Sequence, residues 1–347
     1  MSSGAVAQLV ARGVQDVHIT GDPEISYFNS KFKRHTNFSM FTQEQTLEGN
    51  PTPGGTSTVK FKRSGDLLGY VNLVVKVAGE VQLITDWRDI IEEAELYIGG
   101  RLVDKQDSEF SESIAIDLLA TTYSKSYQAS LHGGAGSASF FYPFRFFFCD
   151  SWQSSLPIVA LQYQDVELKI KWSSNLNTSY VCRVNSCYIC LDKEERNHVA
   201  SSKRDMLIYQ VQKNEPSNDK TLELSFNHPV KFIASSNTSS NNLVSRVSEV
   251  KLQINGSEIE EFKTSVPYFT SIPSYYHTEY AASNAENLFF YPFSISTAKY
   301  QPTGTLNFSR IDSFSIHCTE NIDKPIYAVN YNILRIDKGM AGILYSD

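Results

Sequence analysis

The chain has no run of lysine or arginine, no long apolar stretch and none of the short motifs that mark common catalytic centres. Each absence removes a class of function. The formal net charge is −7 over 347 residues, whereas a protein that holds nucleic acid through its phosphates needs a concentrated cationic face. Direct DNA or RNA binding is not expected. No apolar run approaches the roughly 18 to 20 residues of a membrane span, and the N-terminus lacks the cationic-then-apolar order of a secretory signal. The expectation is synthesis and folding in the cytosol, without secretion. G-x-S-x-G, P-loop, H-E-x-x-H and paired C-x-x-C motifs are missing. His18, His35, His132, His198, His228, His277 and His317 are scattered, with no two at metal-ligand spacing on one element. Acidic pairs such as Glu92-Glu93, Glu194-Glu195 and Glu260-Glu261 read as solvated faces. No catalytic residue, cofactor or metal is assigned.

Cysteine is scarce and odd in number, at five. Three, Cys182, Cys187 and Cys190, crowd into VCRVNSCYIC, but on an extended strand Cys187 and Cys190 have unlike parity and diverge, so they cannot share one metal. They are expected to be plain thiols in a reducing compartment. Five N-x-S/T sequons begin at Asn37, Asn177, Asn237, Asn255 and Asn307. Asn177, Asn237 and Asn255 are the candidate glycan acceptors, although without a secretory route most are expected to stay unused.

What the chain does have is aromatic residues, with 21 Phe and 19 Tyr, and period-2 segments, both of which favour strands. VNLVVKV aligns Val71, Leu73, Val75 and Val77. VELKIKW aligns Val166, Leu168, Ile170 and Trp172. EVKLQING aligns Val250, Leu252 and Ile254, and IYAVNYNILRI aligns Tyr327, Val329, Tyr331 and Ile333. Helical patches are few. The spacing of Trp87, Ile90, Ile91 and Ala94 predicts one short helix, and that of Phe110, Ile114 and Leu118 a second. The first twenty residues space Val6, Leu9, Val10, Val14 and Val17 as an amphipathic arm. The charged stretch 191–205 holds no strand pattern and reads as a connection.

The pentapeptide FFYPF occurs at 140–144 and again at 289–293, 149 residues apart. Other features recur with it. ELYIGGRLVD (95–104) and KLQINGSEIE (251–260) both read strand, Gly-containing turn, strand, at an offset of 156. An alternating strand begins 23 residues after Pro143 and another 22 residues after Pro292. Length also favours two cores over one. The fold class expected is all-β: two consecutive eight-stranded antiparallel jelly-roll barrels with a few short helices in loops. The boundaries expected are an arm at 1–24, a first jelly roll at 25–190, a linker at 191–205 and a second jelly roll at 206–347. Proline cannot donate to a ladder, so Pro143 and Pro292 belong at a strand end, bulge or edge. Tyr142 and Tyr291 should anchor corresponding strands.

Longer strings carry a resemblance. AQLVARGVQDVHITGDPEISYFNSKFKRHTNFSMF near the N-terminus, LPIVALQYQDVELKI, FNHPVKFI, QPTGTLNFSRID and the closing YAVNYNILRIDKGMAGILYSD resemble the double jelly-roll major capsid proteins of the large eukaryotic DNA viruses, the nucleocytoplasmic group. The matches run from residue 5 to 347. Loops such as YQASLHGGAGSAS and PVKFIASSNTSSNNLVS are shorter than the towers common in that family. The resemblance implies a structural protein of the virion, made and assembled inside the host cell. It also implies a homotrimeric capsomer whose two barrels per chain give six similar corners. The implied partners are neighbouring capsomers, minor capsid and penton proteins, and an internal membrane at the base. Val6, Leu9, Val10 and Val14 of the arm are the candidates for the basal contact. Other classes consistent with the residues are a minor capsid or penton-associated relative, and a double jelly-roll carbohydrate-active hydrolase needing converging carboxylates.

Arg34 and His35 fall in the RHTNF string of the resemblance. Arg34 shares parity with Phe28, Phe32, Phe38 and Met40, which predicts a paired guanidinium or a bulge on an apolar face. Arg310 and Asp312 share parity with Leu306, Phe308, Phe314 and Ile316. Either a turn interrupts the strand at 309–313 or each ion pairs elsewhere.

Overall fold

The computed structural model describes residues 4, 8, 11–126, 139–236, 241–280 and 288–345. Residues 1–37 and 38–347 are two separate compact units. In the first unit a single turn of helix, Val17–Thr20, buries nothing. Val14, Ile19, Tyr27, Phe28 and Phe32 are exposed. No strand occurs at 27–37, and pairing begins only at Phe38. The parity pattern there has no partner strand among the described residues, so Arg34 lies on no sheet face.

Among its described residues the second unit holds sixteen principal strands. In the first half they are β1 (Phe38–Gln45), β2 (Thr56–Lys60), β3 (Leu67–Val77), β4 (Ile91–Ile98), β5 (Arg101–Asp107), β6 (Tyr142–Pro143), β7 (Val166–Trp172) and β8 (Val181–Leu191). In the second they are β9 (Arg204–Asn214), β10 (Thr221–Glu223), β11 (Pro229–Ser236), β12 (Glu249–Ile254), β13 (Ser257–Thr264), β14 (Leu288–Pro292), β15 (Phe314–Cys318) and β16 (Ile326–Asp337). The sheets are β1-β8-β3-β6 with β2-β7-β4-β5, then β9-β16-β11-β14 with β10-β15-β12-β13. Every pairing is antiparallel. Adding eight to each strand number of the first half gives the second, so each half is a jelly roll of two four-stranded sheets. Short extra strands extend these sheets at Leu47–Glu48, Glu80–Val81, Leu306–Asn307 and Met340–Ile343.

Alternation builds each core. Val71, Leu73 and Val75 of β3 and Leu168, Ile170 and Trp172 of β7 turn inward together in the first. Val250, Leu252, Phe314 and Ile316 do so in the second. A fully buried side chain of this size contributes about 1.5–3 kcal/mol. The hairpins β4–β5 and β12–β13 turn on Gly99-Gly100 (φ +59° and +77°) and Asn255-Gly256 (φ +49° and +77°). Two successive positive φ values define the type I′ turn that suits strand twist.

Two expectations change. The helix expected at 87–94 is a single 3-10 turn, Trp87–Asp89, followed by strand β4. A bulge between Ile91 and Glu93 inserts one extra residue, so inward Ile91 and Ala94 lie three apart and imitate helical spacing. The connection 191–205 contains a helix, Lys193–Ser201, whose Asp192 side chain accepts from Glu195 N at 2.9 Å. That D-x-x-E spacing is a capping signal the sequence already carried.

Candidate functional site

FFYPF sits at the β6 and β14 positions. Pro143 pairs with Asn72 and Tyr142 with Leu73, while Pro292 pairs with Phe232 and Tyr291 with Ile233. The next residue repeats the match: Phe144 N donates to Val71 O at 3.1 Å, and Phe293 N to Lys231 O at 2.8 Å. Each proline therefore ends its strand where no amide is needed. Tyr142 is buried against Trp87 and Phe144, with centroids 5.7 and 5.3 Å away. Tyr291 is half-buried beside Phe269 and Phe293. Burial raises the pKa of both phenols, Tyr291 to about 12.

A third apolar cluster joins the two halves. The β5–β6 connection forms a π-helical turn, Phe110–Ile114, and a helix, Ala115–Leu118. Phe110, Ile114, Leu118 and Leu119 cover the outer face of β9-β16-β11-β14 at Phe232, Ala234, Phe290, Tyr327 and Val329. This is why β16, expected to be half-buried, is buried on both faces over most of its length. Polar bonds flank the contact. Tyr327 OH donates to Asp107 Oδ2 at 2.7 Å, and Tyr209 OH donates to Arg145 O at 2.9 Å and to Asp150. Val211 N donates to Asp104 Oδ1 at 2.9 Å. Burial pushes the Asp104 carboxyl up to about 7 although Val211 N, Gln106 Nε2 and Lys105 N all donate to it. Lys231, buried with Nζ donating to Thr297 O at 2.7 Å, is held down to about 8 by the same loss of water.

The matching face of the first half, on β1-β8-β3-β6, carries a groove among the described residues. Tyr70, Asn72 and Val74 of β3 and Phe141 beside β6 line a cavity of about 550 Å³ with Phe144, Phe148 and Trp152. Its walls are mainly apolar, and Trp152 is 56% exposed.

The other sites expected from sequence fall elsewhere. Val6, Leu9, Val10 and Asn237 lie outside the described residues, and Val14 is exposed. Arg34 is exposed with no ion-pair partner among the described residues, which removes the paired buried guanidinium. His35 Nδ1 lies 2.7 Å from Thr36 O on the surface. A 3-10 turn, Phe308–Arg310, interrupts the strand at Arg310, and both Arg310 and Asp312 are exposed, so neither is a buried ion. Asn177 and Asn255 are exposed, but their Oδ1 atoms are engaged. Asn177 accepts from Ser179 N at 3.0 Å, and Asn255 accepts from Asp312 N and Ser313 N at 3.0 Å each. The cysteines are free, with Cys182, Cys187 and Cys318 buried. No group of three His, Cys, Asp or Glu able to hold a metal occurs among the described residues. Nor, among these residues, is any helix long and apolar enough to cross a membrane.

Sequence reasoning missed both the covered seam and the open groove. The Phe110, Ile114 and Leu118 spacing signalled a helix, but not the sheet it covers.

Residues 26–210 match the family described as major capsid protein N-terminus, and residues 195–342 the one described as large eukaryotic DNA virus major capsid protein. The major capsid protein of Pyramimonas orientalis virus is 32% identical over 398 aligned positions, covering 99% of this chain and 100% of that one. That of Paramecium bursaria Chlorella virus 1 is 26% identical over 442, covering 99% and 100%. Both alignments are longer than 347 residues, so these relatives carry insertions. Among solved structures, PBCV-1 VP54, fitted into a reconstruction of the virophage Sputnik, superposes with a TM-score of 0.80 at 23% identity, covering 93% of this chain and 100% of that one. The Faustovirus major capsid protein gives 0.67 at 11% identity, covering 94% of each chain.

Proposed function

Since the chain belongs to the major capsid protein family of the large eukaryotic DNA viruses, and is thus a structural protein of a virion shell, we propose that it builds that shell as a homotrimeric, pseudo-hexagonal capsomer. The observation that carries this reading is the duplication: one chain holds two jelly rolls of identical strand order, so three chains present six similar units around a closed axis. The mainly apolar groove of the first jelly roll, where Trp152 is 56% exposed, supports it, because exposed apolar surface marks an interaction site. Within this reading the arm, carrying Val6, Leu9, Val10 and Val14, faces neighbouring capsomers or a membrane at the base. Minor capsid and penton proteins complete the shell. The jelly-roll boundaries belong to the same proposal, with Tyr142, Pro143, Tyr291 and Pro292 as equivalent anchors. Arg34, His35, Arg310 and Asp312 act as surface or interface residues.

Sedimentation and electron microscopy of the purified full chain test it. The expected particle has three times the 39.1 kDa chain mass and a six-cornered projection. A monomer at every concentration would overturn the capsomer.

A further inference from the structure

Strands β13 and β14 are edges of the two sheets of the second jelly roll. The segment that links them folds into the short helices Ser265–Tyr268 and Ser271–His277. Together the three pieces line a cavity of about 330 Å³, at the lower end of the roughly 300–1,000 Å³ of small-ligand sites. The repeat supplies a comparison. Tyr142 of the first jelly roll is 1% exposed and packs against Trp87. Its counterpart Tyr291 is half-buried and lines the cavity.

The walls combine aromatic rings with a few polar groups. Phe269, buried and stacked on Phe289, lies behind Tyr291. Along the second helix Ile272 with Tyr276 and Pro273 with His277 are two adjacent i, i+4 pairs, so one side of that helix lines the space. Tyr268 and Tyr276 are 49% and 72% exposed, which leaves their rings free to take a further surface. On β13, Lys263 Nζ lies 2.5 Å from Glu260 Oε2 and 5.7 Å from the centre of the Tyr268 ring. Burial, then the Glu260 carboxylate, raise the Tyr291 phenol to about 12, so it keeps its proton and donates. His277 Nδ1 lies 2.9 Å from Ser294 O. A carbonyl only accepts, so in the neutral ring Nδ1 carries the hydrogen and Nε2 is left as an acceptor.

We infer that this cavity is a sugar-binding site, taking a neutral pyranose with one ring face against Tyr276 and its hydroxyls toward Glu260, Lys263 and His277. Charge selects the class. Glu260 and Lys263 neutralise each other, so a cation or an anion would have to break their pair, whereas hydroxyl groups both donate and accept and can join it intact. The C–H face of a pyranose is apolar and suits a tyrosine ring, which has an apolar body and a polar tip. All the residues belong to one chain, so the inference does not rest on the capsomer reading.

Saturation-transfer NMR on the purified full chain tests it, with the methyl pyranosides of glucose, galactose, mannose and N-acetylglucosamine as probes and tetramethylammonium as the cationic competitor. At least one pyranoside should bind, with a dissociation constant of about 1 mM, and its ring C–H protons should receive the strongest transfer. Tyr276→Ala changes an exposed side chain, so circular dichroism melting should be near that of the unmodified protein while binding weakens about tenfold or more. Tyr276→Phe keeps the ring and should bind as the unmodified chain does, as should Tyr163→Ala, an exposed tyrosine outside the cavity. Oligosaccharides ending in the sugar that binds separate two sources: tighter binding than the monosaccharide assigns the site to a glycan, equal binding to a free sugar. The inference is overturned if no pyranoside binds, if Tyr276→Ala binds as well as the unmodified chain, or if only tetramethylammonium gives a signal that Tyr276→Ala removes.

Discussion

Asp104 shows how a single buried carboxyl ties the fold to pH. Loss of water outweighs the three hydrogen bonds it accepts, so its folded pKa, about 7, lies above the ordinary 3.8. Between those values the unfolded chain is ionised while the folded chain keeps its proton. Stability is therefore fully present below the lower value and falls as pH rises through the window, by up to about 1.4 kcal/mol per pH unit from this group. Asp104→Asn should flatten the slope of urea midpoint against pH between 4.5 and 7. Asn255 makes a different kind of contribution. It holds a left-handed conformation and accepts two backbone amides from the loop before β15. Asn255→Ala should cost about 1–3 kcal/mol in urea unfolding. Asn255→Asp, which removes the sequon but keeps the acceptor, should cost clearly less.

At the level of elements, strands were legible wherever alternation ran without interruption. Leu168, Ile170 and Trp172 of β7 and Val250 and Leu252 of β12 all face the cores that their spacing required. The glycine-bearing hairpins and the repeated pentapeptide located equivalent strands, because turn chemistry and proline's missing donor act locally. The misreadings have equally local causes. The bulge in β4 gave a strand the spacing of a helix, and the pattern around Arg34 had no sheet to join. The segment Phe110–Leu118 was readable as a helix but not as a seam. Phe110 is 0% exposed between the two jelly rolls, so Phe110→Ala should destabilise the protein by about 3–5 kcal/mol in chemical denaturation, a core-like loss from a loop position.

For the whole molecule, the seam makes the two jelly rolls depend on each other. Each covers apolar surface that the other would expose, and Gln210 Nε2 and Val211 N of β9 reach Val103 O and Asp104 of β5. Calorimetry should therefore show one cooperative unfolding transition for residues 38–347. Ile114→Asp, which places a charge in the sealed contact, should split that transition in two or lower its midpoint sharply. Retention of a single unshifted transition would mean that the seam contributes little.

The sequence alone determined that this chain makes two antiparallel sandwiches with equivalent strands. Side-chain alternation, turn residues and a repeat spacing near 150 residues are properties of neighbours along the chain. Only the tertiary structure decided which outer face is covered. Phe290 and Phe141 occupy the same place in the same pentapeptide, yet one is sealed and the other lines a groove. The difference lies in Phe110–Leu119, distant from Phe290 in sequence, packing on the outer face of the sheet that holds it.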